Sequence, residues 1–216
     1  MQGRFSKCTS LILASLAVLP SIANAEPSGW YVGVSLGTTS YGNSSDDERN
    51  LVSDLSQQGI TATANVDDSA TGWTLGAGYA FNPYFALEGE YIDLGTAHAT
   101  ANTTAPITAT ISEAASAKGE TLNLVGIWPL NDKFNFFGKF GLFNYTLNDD
   151  LTASFPVNGV SANGTTYDVG IGAGLSLTQQ VSLRAGLTHF HGVGDENTTG
   201  KANLGMAYLQ LVFSFH

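Results

Sequence analysis

The chain has 216 residues, with 18 acidic and eight basic side chains, 25 glycines and one cysteine. A lone cysteine excludes an internal disulfide and a cysteine-built metal centre, and bases this few and scattered exclude a phosphate-binding face for nucleic acid. A formal charge of −10 alongside 43% hydrophobic residues leaves room for a folded domain of ordinary size.

At the start, Arg4 and Lys7 precede an apolar run, Leu11 to Leu19, and Ala23-Asn24-Ala25 sets small residues where a signal peptidase cuts. The run is too short for a membrane-spanning helix, which needs about 20 apolar residues. The reading is therefore a secretory signal over residues 1–25, cleaved after Ala25, and one domain over 26–216. Cys8 precedes the apolar run, so it is no lipoprotein anchor and leaves with the signal. The remaining six bases against 18 acids give the mature segment a formal charge of −12.

From there alternation with period two governs the chain, the mark of strands. Trp30, Val32, Val34 and Leu36 share one face against Tyr31, Gly33, Ser35 and Gly37. Trp73, Leu75, Ala77, Tyr79 and Phe81 then oppose Thr74, Gly76, Gly78 and Ala80, and after the Asn82-Pro83 turn Phe85, Leu87, Gly89 and Tyr91 oppose Ala86, Glu88 and Glu90. The pattern recurs over 122–128, 134–142, 167–176, 181–188 and 209–215, for eight strands in all. One face is large and apolar throughout; the other is mainly Gly, Ser, Thr and Ala, which suits a narrow interior better than bulk water. Connections at 82–83, 129–132 and 178–180 are short turns, whereas 42–70, 97–118, 149–163 and 192–200 are expected as longer polar loops. Short turns at one end and long loops at the other are the plan of an outer-membrane barrel, with Trp30, Phe81, Tyr84, Trp128, Phe134 and Phe215 as an aromatic girdle at the turn end. A soluble lipocalin-type barrel has the inverse pattern, apolar within, and a β-sandwich carries charges on its outer face. The expected fold is an all-β, eight-stranded antiparallel transmembrane up-and-down β-barrel.

The stretches "GWYVGVSLG", "GYAFNPYFALEGEYIDLG", "YDVGIGAGLSLTQQVSLRAGLTHF" and "YLQLVFSF" resemble the OmpA-like family of small outer-membrane β-barrels, over nearly the whole mature segment. The resemblance implies a location in the cell outer membrane, contact with outer-membrane lipid and lipopolysaccharide, and inward acid-base pairs that plug the lumen. It extends to the transmembrane barrel domain alone, since the chain ends with strand eight. One departure is that such chains usually stop on an aromatic residue, whereas His216 follows Phe215 here.

On this alternation Glu88, Glu90, Lys139, Arg184 and Asp168 point into the barrel. An eight-stranded lumen is about wide enough for side chains to fill, and unpaired burial costs several kcal/mol per ion. Lys139 and Arg184 are expected to neutralise Glu88 and Glu90, with Tyr31 and Asp168 adding hydrogen bonds. Glycosidase-type chemistry by Glu88 and Glu90 needs a substrate cleft, which a filled lumen lacks.

His189, His191, Asp195 and Glu196, in "THFHGVGDENTTG", suggest metal ligation or lipid A deacylation. Two histidines at i, i+2 supply only part of a coordination shell. The serine that lipid A deacylases carry two residues after the histidine is replaced here by Val193. The histidines are read as headgroup-level side chains, and no catalytic residue, metal or cofactor is assigned. Leu51, Val52 and Leu55, after a Ser45-Asp46 cap, have helical spacing in a loop otherwise expected to be solvated. The functional expectation is a non-enzymatic scaffold that presents loops 42–70, 97–118, 149–163 and 192–200 for envelope integrity or surface interaction with host or cell-surface ligands. The alternatives are a narrow pore for small solutes and a lipid-modifying barrel enzyme.

Overall fold

The computed structural model describes residues 28–42, 61–105, 109–153, 159–196 and 198–215, with the single positions 53 and 57. The signal segment and the helical spacing at Leu51, Val52 and Leu55 lie outside them. Among the described residues nine strands form in chain order: β1 Gly29–Ser40, β2 Thr61–Asp67, β3 Ser69–Asn82, β4 Phe85–Ala105, β5 Ala109–Pro129, β6 Phe134–Ala153, β7 Val160–Ser176, β8 Val181–Asp195 and β9 Gly200–Ser214. All pairings are antiparallel. β1 pairs with β3 on one side and β9 on the other, and β4 with β5, so eight strands close a ring.

The ninth strand is an interruption rather than an extra wall. β2 pairs with the outer half of β4, Asp67 opposite His98, and β3 resumes after Asp68. Together β2 and β3 make one long strand broken at Asp68. Opposite the break β4 bulges between Asp93 and Thr96, where Gly95 adopts φ +76, a conformation that a side chain strains. The Asp93 Oδ1 accepts the Gly95 N–H (2.9 Å) and Tyr41 donates its hydroxyl to the Gly95 carbonyl (2.6 Å). The short turns are closed by side chains: Asn82 Oδ1 accepts from the N–H groups of Tyr84 and Phe85, and Asn131 Oδ1 from those of Lys133 and Phe134, each an Asx-type turn.

Loops expected at 97–118, 149–163 and 192–200, and the later part of 42–70, are instead largely strand. β4 runs on to Ala105, β5 begins at Ala109, β6 reaches Ala153, β7 starts at Val160, and β8 and β9 reach Asp195 and Gly200. The Ala- and Thr-rich composition that looked like loop carries enough β-compatible residues to continue a ladder once neighbours supply backbone partners. A transmembrane strand needs about 9–11 residues, so strands of 20 and 21 residues such as β6 and β5 stand well clear of the bilayer on the long-loop side.

The membrane zone is written in side-chain direction. Leu36, Leu75, Leu122, Leu124, Phe136, Phe140, Leu142, Ile171, Leu187 and Leu209 are more than half exposed on the outer wall, an apolar belt suited to lipid. Trp30, Phe81, Trp128, Phe134 and Phe215 are exposed at the short-turn end. Toward the other end, Trp73 meets Tyr91 with ring centroids 5.6 Å apart and Tyr167 stacks on His191 at 4.7 Å. Trp73 and Phe81 on β3 are separated by about 27 Å along the strand, or about 20 Å along the normal at a tilt near 40°. Beyond this second aromatic level the pattern inverts. On β6, Phe140 and Leu142 face out, but Phe143, Tyr145 and Leu147 are buried inside while Asn144 faces out. Where lipid gives way to water, the same closed sheet turns its apolar side inward.

Candidate functional site: the barrel interior

The interior is filled in layers. Nearest the short turns Tyr31, Ala80, Ala86, Val125, Phe137 and Val212 form an apolar cluster. Above it lie the inward charges, Glu88, Glu90, Lys139 and Arg184, exposed by only 5, 6, 7 and 8%. Strand pairing fixes who meets whom. Glu88 and Glu90 sit on β4 facing Gly78 and Gly76 of β3, whose missing side chains make room for the Tyr31 ring and the Glu90 stem. Lys139 Nζ reaches across to Glu90 Oε2 at 3.0 Å, and Arg184 Nη1 to Glu88 Oε1 at 2.6 Å.

Hydrogen bonds complete the layer. Tyr31 donates its hydroxyl to Glu88 Oε1 (2.7 Å), and its ring lies over Gly78, whose place a methyl group could not share. The Glu90 Oε1 accepts from Gln210 Nε2 (3.1 Å) and Thr74 Oγ1 (3.3 Å), and Thr74 is linked to Ser35 at 2.7 Å. The guanidinium of Arg184 lies 5.2 Å from the Tyr31 ring and 5.5 Å from that of Phe137, and Lys139 Nζ 5.3 Å from that of Tyr208, cation–π distances that suit desolvated cations. Gln210, Thr74 and Ser35 were not among the sequence-derived site residues; their inward parity was the available signal.

Asp168 departs from expectation. It is fully buried in the lumen, yet neither carboxylate oxygen has a hydrogen-bond partner among the described residues. Asp168 stands opposite Gly141 on β6 and Phe190 on β8, neither of which offers a side-chain donor, and Asn123, beyond Gly141 on β5, also keeps its amide unpaired among the described residues.

A second departure lies above the charges. Ile92, Leu94, Phe143, Tyr145, Leu147, Phe190, Val193, Leu204 and Met206 pack into an apolar core across the lumen, with Phe143 and Phe190 ring centroids 4.7 Å apart. An interior of small and polar residues throughout was expected; this level is a hydrocarbon plug, because these positions follow the inverted pattern beyond the bilayer.

His189 and His191 are exposed on the outer wall, their ring centroids 6.5 Å apart, and Glu196 pairs with Lys201 at 3.2 Å. Among the described residues no three His, Cys, Asp or Glu side chains are grouped to hold a metal ion.

A closed antiparallel ring with a lipid-suited outer wall and a filled interior defines a small outer-membrane β-barrel protein. The sequence matches the outer membrane protein beta-barrel domain family over residues 9–215, and the chain belongs to that family. A search of curated protein sequences gives no match. Among solved structures it is similar to the N-terminal β-barrel domain of Pseudomonas aeruginosa OprF, at 12% identity and a TM-score of 0.50, covering 88% of this chain and 100% of that one. It is also similar to Neisserial surface protein A, at 14% identity and 0.48 over 87% and 97% of the two chains. The attachment invasion locus protein Ail of Yersinia pestis, solved with the heparin analogue sucrose octasulfate, matches at 12% and 0.47 over 87% and 99%. At these identities the likeness is one of fold.

Proposed function

We propose that the protein is a non-enzymatic, non-conducting outer-membrane scaffold, exported by a signal cleaved after Ala25, whose working surface is the collar of strands projecting beyond the membrane. The observation that carries this is the double closure of the lumen. The paired charges Glu88–Arg184 and Glu90–Lys139 lie beneath an apolar layer centred on Phe143 and Phe190. An ion crossing it would have to break desolvated ion pairs and then enter hydrocarbon, each costing several kcal/mol. Below the charges, the cavity between Tyr31, Asn135 and Arg184 measures about 20 Å³, room for about one water.

The collar carries Asp67, Asp68, Glu113, Asp149, Asp150, Asp195 and Glu196 against Lys118 and Lys201. Its acidity favours cationic or neutral surface partners over polyanions, in keeping with a role in envelope integrity or surface contact. The test is planar-bilayer conductance of protein extracted from outer membranes, with Arg184→Ala alongside. Both are expected to be silent, the variant because the apolar layer remains closed. Discrete openings in the unmodified protein would replace the scaffold reading with a narrow pore.

A further inference from the structure

Above the apolar layer the barrel mouth holds a cavity of about 430 Å³, within the 300–1,000 Å³ typical of small-molecule sites. Its composition is specific. Leu147, Val193 and Leu204 belong both to its lining and to the apolar plug beneath, so its floor is hydrocarbon and closed. Tyr41 also lines it, tethered by donating to the Gly95 carbonyl and accepting the Ala117 N–H at 3.0 Å. The charged lining is acidic: Glu113 and Asp149 on adjacent strands, with Asp67 and Asp68 across the mouth, while no Lys or Arg lines it among the described residues.

We propose that this vestibule binds a small organic cation, an amine with an apolar body, whose hydrocarbon part rests on Leu147, Val193 and Leu204 and whose ammonium group sits between Glu113 and Asp149. Both features are required. The apolar floor alone would accept any hydrophobe, and the carboxylates alone any cation; together they select a molecule carrying both. The strand register places Asp149 opposite Ala115, two residues from Glu113 on the same face of β5. Their carboxyls are close enough to perturb each other, and an ammonium group relieves the repulsion that two ionised neighbours would suffer. Because the floor is sealed, the ligand enters and leaves from outside, so the site captures rather than transports.

Protein extracted from outer membranes, held in phosphatidylcholine nanodiscs, is titrated by calorimetry with 4-phenylbutylamine and with the similarly sized anion 5-phenylvalerate, empty discs serving as blank. Saturable single-site binding of the amine is expected, with the anion weaker by about tenfold or more. Glu113→Gln combined with Asp149→Asn is expected to weaken amine binding by a similar factor. Ala115→Trp, which fills the cavity from the wall without altering a charge, is expected to abolish it, with folding of each variant checked by circular dichroism. Equal affinity for amine and anion, amine binding unchanged by Ala115→Trp, or a signal no larger than that of empty discs would overturn the proposal.

Discussion

Replacing Arg184 by alanine tests the luminal ion layer most directly. Arg184 is 8% exposed, and its guanidinium sits 2.6 Å from Glu88 Oε1 and covers the Tyr31 and Phe137 rings. Its removal leaves Glu88 buried, with the Tyr31 hydroxyl as its remaining hydrogen-bond donor among the described residues and its charge uncompensated at short range. Breaking a buried pair from one side costs about 3–5 kcal/mol. With a urea slope of about 2–3 kcal/mol per molar, the unfolding midpoint is expected to fall by about 1–2.5 M. The assay is urea unfolding in lipid vesicles followed by tryptophan fluorescence, since Trp30, Trp73 and Trp128 all face outward. A companion variant, Arg184→Met with Glu88→Gln, separates lost charge from lost packing. Removing both charges while keeping volume is expected to recover most of the midpoint, because no ion is left unpaired. An Arg184→Ala protein that unfolds with its parent would refute the reasoning outright. A double variant no better than the single one would move the cause to packing against Tyr31 and Phe137.

Three further outcomes follow from particular contacts. Asp168→Asn removes a buried carboxylate to which none of the described residues donates a hydrogen bond and is expected to raise the urea midpoint, by about 1–2 kcal/mol of stability; a clear fall would show that its charge is needed to balance Lys139. Gly78→Ala sets a methyl group into the Tyr31 ring and is expected to cost about 1–3 kcal/mol by overpacking, visible in the same titration, whereas retention of the parent midpoint would mean the ring is free to shift. At the mouth, burial first and then each other's proximity hold the Glu113 carboxyl above its ordinary range, and burial likewise raises Asp149, with Asp150 adding to it. A carboxyl raised in the folded state binds more protons there than when unfolded, so its contribution to stability is greatest at low pH and declines as pH climbs from the ordinary carboxylate range through the raised value. Other charges around this mouth are Asp67, Asp68 and His98. Glu113→Gln is expected to flatten that decline in urea midpoints measured from about pH 4 upward; an unchanged slope would remove the pair as its cause.

Much of this architecture is legible in the residue order, and the reason is local. In a strand, side-chain direction alternates whatever the rest of the chain does. The run from Trp30 to Gly37 or from Phe134 to Leu142 therefore states which atoms meet lipid, and the turns at Asn82-Pro83 and 129–132 state where the ring reverses. The same parity put Glu88, Glu90, Lys139, Arg184 and Asp168 inside. What parity leaves open is height around the ring. Which carboxylate meets which base depends on the stagger between strands far apart in sequence, 96 residues for Arg184 and Glu88 and 49 for Lys139 and Glu90; parity likewise does not show that Asp168 has no donor among the described residues. Tertiary structure also decided where the membrane ends. Alternation runs unbroken through Leu142, Phe143, Asn144 and Tyr145, but the side that should be apolar depends on whether lipid or water lies outside, and that is set by the position of these residues in the closed barrel. The apolar plug of Phe143, Phe190 and Leu204, and the acidic vestibule resting on it, exist because strands read as loops continue past the bilayer into water and turn their hydrocarbon inward.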